Sequence, residues 1–190
     1  MTDQHPLYYI SNFIRDFETD ILFEHIVESY NLEQDQYKFK DKIVKSPRLI
    51  GFAAEGNIEY TYSNTKHKPQ PYTIPLEGIA RNIESRLGLP KNYFNGCLIN
   101  LYRNGQDSIS YHKDNEKDMD PNTYIAVISI GAERLFCLKN DKTKKVRKFL
   151  LENGSLSIMT SLCQRDYQHA ILKEKNIQDP RISLTFRHFI

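Results

Sequence analysis

The chain has 190 residues, 39% of them hydrophobic and 26% charged, which is enough for one domain with a sizeable core. With 26 basic and 24 acidic residues the net charge is only +2, so the molecule as a whole is no polycation and would hold a nucleic acid through local basic patches. No apolar run approaches ~18 residues, and MTDQHPLYYI at the start lacks the regions of a signal peptide; no membrane association is expected. The three cysteines, Cys97, Cys137 and Cys163, are odd in number and form no Cys-x-x-Cys pair. They read as reduced thiols of an intracellular protein, nuclear or cytoplasmic, and a monomer is expected.

The first element in chain order is an amphipathic helix over 17–30. Thr19 or Asp20 is its candidate cap, and Ile21, Leu22, His25, Ile26 and Ser29 share one face. Residues 31–45 are polar and irregular, a loop or ribbon. From Arg48 to Ser63, aromatic and β-branched residues mix with Gly51 and Gly56, the composition of a hairpin. A second helix begins near Pro75, carries the stripe Leu76, Ile79, Ala80, Ile83 and Leu87, and ends at Gly88 before Pro90. Short strands follow: Gly96–Tyr102, Ser108–His112, Tyr124–Gly131, Arg134–Leu138, Val146–Leu151, Ser155–Met159, Gln168–Ile171 and Arg181–Phe189. Turns such as Asn104-Gly105 and Asn153-Gly154 separate them. Many short strands after two helices favour a closed or sandwiched β core with helices packed outside.

The chemistry-bearing residues lie in the second half. On a strand, residues i and i+2 face the same side, so His112 and Asp114 can point into one cavity, with His169 the best third partner. Two histidines and a carboxylate form the facial triad that holds Fe(II) and leaves positions open. Taken alone, a His-x-Asp pair is more often an ordinary surface pair. The last strand adds weight. Arg181, Ser183, Thr185 and Arg187 share one face, while Ile182, Leu184 and Phe186 share the other. If the apolar face packs the core, the arginines lie in a cleft and need anionic partners there. A guanidinium fork suits a small dicarboxylate such as 2-oxoglutarate. A solvated outer strand with two exposed arginines is the plainer alternative.

These residues fall in ordered motifs: PRLIGF with EYTYS, NLYRNGQDSISYHKDNE, ISIGAERLF, LENGSLSIM, DYQH and RISLTFR. From about Pro47 to Phe189 the chain resembles the AlkB family of Fe(II)/2-oxoglutarate-dependent nucleic-acid dioxygenases, closest to its DNA/RNA repair type. The resemblance implies an α+β, mainly β, fold: a double-stranded β-helix (jelly-roll) core with N-terminal helices and a substrate-recognition lid. One dioxygenase domain is expected over 1–190, with the N-terminal extension and lid in 1–95 and the catalytic core in 96–190. The resemblance assigns His112, Asp114 and His169 to iron. It gives Asn100 and Tyr102 to contact with 2-oxoglutarate, Arg181 to the distal carboxylate and Arg187 to the carboxylate near the metal, with Thr185 assisting. Ser183 departs from the Asn usual at its position; its hydroxyl is a shorter donor and acceptor.

On the substrate side, Tyr60, Tyr62 and Ser63 match the family's base-pocket strand, although two tyrosines on a strand can equally be packing. An enzyme acting on a base takes it from the stack or accepts a single strand. With no tryptophan in the chain, stacking would fall to tyrosine, phenylalanine or histidine. Glu116 matches an acidic position facing the base, where a carboxylate suits the cationic N1-methyladenine and N3-methylcytosine. Residues 139–148, KNDKTKKVRK, carry six basic residues and one acid, either a phosphate patch that includes Lys142 or a solvated hairpin tip. Arg48 is a candidate contact to the opposite strand or to the flipped nucleotide's backbone. Tyr37 and Phe39 are candidate probes of the base stack. The implied reaction is oxidative demethylation of such bases in DNA or RNA with Fe(II), O2 and 2-oxoglutarate, releasing formaldehyde, succinate and CO2. Two other classes stay open: a protein hydroxylase on the same iron core, and a non-catalytic nucleic-acid-binding domain.

Overall fold

The computed structural model describes residues 5–39, 41–62, 65–114 and 123–190. The N-terminal part holds β1 (Leu7–Ile10), α1 (Asp16–Ser29), β2 (Gln36–Phe39), β3 (Lys42–Lys45) and β4 (Leu49–Ala54). It continues with β5 (Tyr60–Tyr62), β6 (Thr65–His67), β7 (Gln70–Pro71) and α2 (Ile74–Leu87). The C-terminal part holds β8 (Gly96–Tyr102), β9 (Ile109–His112), β10 (Ile125–Gly131), β11 (Arg134–Asn140) and β12 (Val146–Leu151). It ends with β13 (Ser155–Met159), α3 (Ser161–Asp166), β14 (Tyr167–Ile171) and β15 (Arg181–Arg187).

Two sheets face each other. The larger runs β1-β13-β10-β15-β8-β4-β7 and the smaller β12-β11-β14-β9. Strand alternation divides the apolar residues of the large sheet between its two faces. Ile182, Leu184 and Phe186 of β15, with Ile128 of β10 and Ile99 of β8, pack outward against Leu22 and Ile26 of α1 and Leu76, Ala80 and Ile83 of α2. Ile50, Phe52, Leu98 and Ile125 point the other way, into a second cluster with Phe136, Leu138 and Ile171 of the small sheet. The space between the sheets is therefore apolar at its margins and lined by the polar face of β15 at its centre. The major sheet takes strands from both sides of residue 95.

Both helices form where the periodicity predicts them, but α1 is capped differently. Arg15 is the N-cap, and its backbone N–H donates to Glu18 Oε2 at 3.3 Å. Thr19 and Asp20 lie inside the helix, and the Thr19 hydroxyl donates back to the Asp16 carbonyl at 2.6 Å. Ile21 is 66% exposed, so the buried stripe is Thr19, Leu22 and Ile26. α2 ends as expected, with Gly88 at φ 65°, a left-handed conformation that glycine adopts without a Cβ penalty.

The hairpin expected over 48–63 is a correction. β4 pairs with β8 antiparallel and β7 parallel, while β5 turns back on β6 in a separate ribbon. An apolar five-residue run with both faces covered belongs inside a sheet, and local turn signals do not reveal its partner. Residues 31–45 contain the two-stranded ribbon β2–β3. β1, β6, β7 and α3 are additional elements; β1 lies on the sheet edge against β13. Among the described residues no helix is long and apolar enough to cross a membrane.

Candidate metal and anion site

All seven residues of β15 are buried, so its polar face is fully enclosed. Pairing with β8 sets Arg181 opposite Tyr102, Ser183 opposite Asn100 and Arg187 opposite Gly96. The side chains of Arg181, Tyr102, Ser183, Asn100 and Arg187 line a cavity between the sheets, together with Arg48, His112, Asp114, His169 and Thr185. The expected arginine face is thus a cleft wall, and the solvated-strand alternative does not apply.

The metal-ligating groups sit at one end. His112 of β9 and His169 of β14 are paired across the small sheet, with ring centroids 4.2 Å apart. Asp114 lies beyond the end of β9, so strand alternation does not aim it. Its backbone N–H instead donates to Gln164 Oε1 of α3 at 2.9 Å, which fixes the main chain there. His112 Nε2 stands 3.4 Å from Asp114 Oδ1, and His169 Nε2 stands 3.8 Å from Asp114 Oδ2. The ligand atoms of all three residues lie within 4.8 Å of one another. His112 Nδ1 lies 2.8 Å from the Ser110 carbonyl, which assigns its proton there and leaves the Nε2 lone pair facing the cluster.

The electrostatics favour the metal-ready protonation states. Burial pushes His169 down to about 3, against a smaller opposing pull from Asp114. Burial would raise the Asp114 carboxyl, but Arg187 and the two histidines outweigh it and hold it well below the usual carboxylate range. Neutral imidazole and ionised carboxylate are the states that bind a cation. Two imidazole nitrogens and one carboxylate on one side of an open cavity fit Fe(II).

Two arginines define the rest of the cavity. Arg187 NH2 lies 3.0 Å from Asp114 Oδ1, and its NH1 donates to the Tyr60 hydroxyl at 2.7 Å. Arg181 is 1% exposed, donates from NH2 to Ser129 Oγ at 2.9 Å and lies 5.2 Å over the Tyr102 ring. Its Nε and NH1 have no hydrogen-bond partner among the described residues. A buried guanidinium with two vacant donors matches a carboxylate supplied from outside the chain. The donor set therefore fits a small dicarboxylate as well as the metal.

The other predicted residues divide. Asn100 lines the cavity and accepts from Arg48 Nε at 2.7 Å. Arg48 is 3% exposed and lines the same cavity. Tyr60 is a further correction. It is fully buried between Phe52 and Phe189, at 5.2 and 5.6 Å, and supports Arg187 instead of offering a surface for a base. Lys142 is exposed at the β11–β12 tip, where its N–H donates to Asn140 Oδ1. The side chains of Tyr62, Tyr37 and Phe39, and all of Ser63 and Glu116, lie outside the described residues.

Several contributors were not picked out from the sequence. Ser129 holds Arg181 and Gln164 holds Asp114. Ser129 and Ser157 interrupt apolar strands with small polar residues, the signal that the sequence offers, and Ser157 lines the cavity. Gln164 carried none, because its partner is fifty residues away. Lys113, between two of the predicted ligands, bonds Asp141 Oδ2 at 2.6 Å and the Arg165 carbonyl at 2.8 Å, tying this segment to the basic hairpin.

A family model described as the 2OG-Fe(II) oxygenase superfamily matches residues 6–187. Over 180 residues the chain is 35% identical to alpha-ketoglutarate-dependent dioxygenase alkB homolog 3 of Bos taurus, a match covering 90% of this chain and 61% of that protein. Over 152 residues it is 30% identical to DNA oxidative demethylase ALKBH2 of Homo sapiens, covering 76% of this chain and 57% of that protein. The chain thus spans about three fifths of the length of these relatives. Its fold is similar to that described as "The structure of OsALKBH1", with a TM-score of 0.70 at 15% identity over 99% of this chain and 100% of the other.

Proposed function

We propose, on the premise that the chain belongs to the 2OG-Fe(II) oxygenase superfamily and within it to the AlkB family, that it demethylates N-alkylated bases in DNA or RNA. The observation that carries this is the pairing, in one buried cavity, of the His112–Asp114–His169 cluster with Arg181 and its two vacant donors. Bound Fe(II), with O2 and 2-oxoglutarate, supplies the oxidation of an N-methyl group to hydroxymethyl, which is lost as formaldehyde, with succinate and CO2 as the other products.

The chain's own residues do the holding and placing. His112, Asp114 and His169 would hold the metal. Arg181 takes the far carboxylate of 2-oxoglutarate, and Tyr102 and Ser129 fix the angle of its fork. Arg187, steadied by the Tyr60 hydroxyl, sets the near carboxylate and keeps Asp114 ionised. Asn100, Ser183 and Thr185 complete the wall; the short Ser183 leaves more room beside Asn100 than a longer amide would. Leu98, Val127, Ile109 and Phe136 keep water from this end, which strengthens each charged contact.

Glu116, two residues past Asp114, would face the base and favour a cationic lesion. The β11–β12 hairpin, with Lys142 at its tip, would hold backbone phosphates. The ion pair of its Asp141 with Lys113, which lies between two of the candidate ligands, supports this reading.

The test is anaerobic loading with Fe(II) and 2-oxoglutarate, then oxygen and an oligonucleotide carrying one N1-methyladenine or N3-methylcytosine, followed by mass spectrometry. Loss of one methyl in wild type but not in His112→Ala is the expected result. Succinate without methyl loss would move the reading to another substrate, a peptide included. No succinate at all would leave a binding domain.

A further inference from the structure

Arg134 opens β11 and is 1% exposed, yet it lies outside the cavity and is not a ligand of anything in it. Its guanidinium sits 5.7 Å from the Tyr102 ring; Arg181 lies 5.2 Å from the same ring. Two buried cations therefore share one aromatic neighbour, and only one of them is satisfied. Arg134 donates from Nε to Glu174 Oε1 at 3.1 Å, and from NH1 and NH2 to the carbonyls of Asn104 (3.3 Å), Asp107 (3.0 Å) and Leu172 (2.7 Å).

Those four acceptors belong to two loops, 103–108 and 172–178, which meet behind Tyr102 and Arg181. The loops are also joined directly. Gly105 N–H donates to the Ile177 carbonyl, and Glu174 N–H donates to the Gly105 carbonyl, both at 2.8 Å. A Cβ on Gly105 would stand 1.7 Å from the Glu174 carbonyl oxygen, so the approach requires glycine. Glu174 Oε1 accepts a second bond, from Leu135 N–H at 2.9 Å.

Resting on the proposed co-substrate, we propose that Arg134 and Glu174 form a clamp that fixes the far wall of the cavity and thereby sets the length of dicarboxylate it accepts. Arg134 is a positioning residue. It holds the two loops against Tyr102 and Arg181, and its own charge is consumed by Glu174 and three carbonyls. Arg181 is left to meet the ligand's distal carboxylate at one depth. A chain one carbon longer would have to push Arg181 and Tyr102 back into loops that Arg134 ties together.

The test measures binding, not turnover. The Mn(II)-loaded protein is titrated calorimetrically with 2-oxoglutarate and with 2-oxoadipate, one methylene longer. Wild type should prefer the shorter acid by about tenfold or more, the usual discrimination for a methylene against a fixed wall. Glu174→Gln keeps the acceptor for Leu135 N–H, so the loop retains that anchor while the ion pair is lost. Arg134→Lys keeps charge but reaches fewer carbonyls. Each should shrink the preference to roughly threefold or less, chiefly through retained binding of 2-oxoadipate. Parallel weakening of both acids with the ratio unchanged, or a wild type that takes both equally, would overturn the clamp while leaving the co-substrate reading intact. A wild type that binds neither acid would remove the co-substrate reading and the clamp with it.

Discussion

Replacing Arg181 with Met should make the ligand-free protein more stable and unable to hold its co-substrate. Burial pushes Arg181 down to about 10 from an ordinary value of roughly 12.5. At about 1.4 kcal/mol per pKa step, the fold pays roughly 3 kcal/mol to keep this charge. The contact with Tyr102 is already within that figure. The hydrogen bond to Ser129 is not, and losing it returns about 1 kcal/mol. Because the methionine fills most of the same volume, the net gain is about 2 kcal/mol, or roughly 4–8 °C in Tm for a chain of this size. The same substitution removes the buried, charged partner of a carboxylate, worth about 2–5 kcal/mol of binding, so the affinity for 2-oxoglutarate should fall at least about 30-fold. Thermal melts of metal-free protein at pH 7 and calorimetric titration of the Mn(II)-loaded form measure the two effects. A variant that melts at or below wild type would mean that Arg181 is already compensated within the fold. Unchanged affinity would take the distal carboxylate away from it.

Other consequences are simpler. His112→Ala removes one of three ligands and should abolish turnover and most Mn(II) affinity; an unchanged manganese resonance titration would refute the ligand set. Tyr60→Phe deletes the acceptor of a bond from a buried, charged donor and should cost about 1.5–3 kcal/mol in urea denaturation; a midpoint equal to wild type would deny that bond any weight. Lys142→Ala should weaken binding of unmodified and methylated oligonucleotides alike and lower the salt slope by about one. A loss confined to the methylated oligonucleotide would mean that Lys142 reads the base instead of the backbone. Glu116→Ala should impair methylated-base turnover more than the uncoupled decay of 2-oxoglutarate, and equal losses in both would count against base reading.

Much of the site was legible because it rests on strand alternation. Arg181, Ser183, Thr185 and Arg187 fall on one face of seven consecutive residues, and no fold that keeps the strand can separate them. The helix over Ile74–Leu87 was equally plain, with Pro75, a 3.6-residue stripe and Gly88 all local signals. Asp114 lies beside His112 and His169, but not by the strand alternation that the sequence suggests. The strand stops at His112, and the main chain at Asp114 is held by Gln164, whose identity carries no hint of that task. Tyr60 shows the limit from the other side. Its motif marks a tyrosine on a strand, but whether that ring meets a base or Arg187 depends on where β5 lies against Phe52 and Phe189.

The sequence by itself determined which residues share a face, where the helices stop and which residue types can ligate a metal, because these follow from backbone periodicity and side-chain chemistry within a few residues. Only the tertiary structure decided that β4 joins β8 instead of β5, that two guanidiniums meet across Tyr102 with only Arg134 given an acid, and that Arg181 keeps two vacant donors. Those outcomes depend on which distant strands pair and on how much water their contact excludes, and neither is encoded in any local window of the chain.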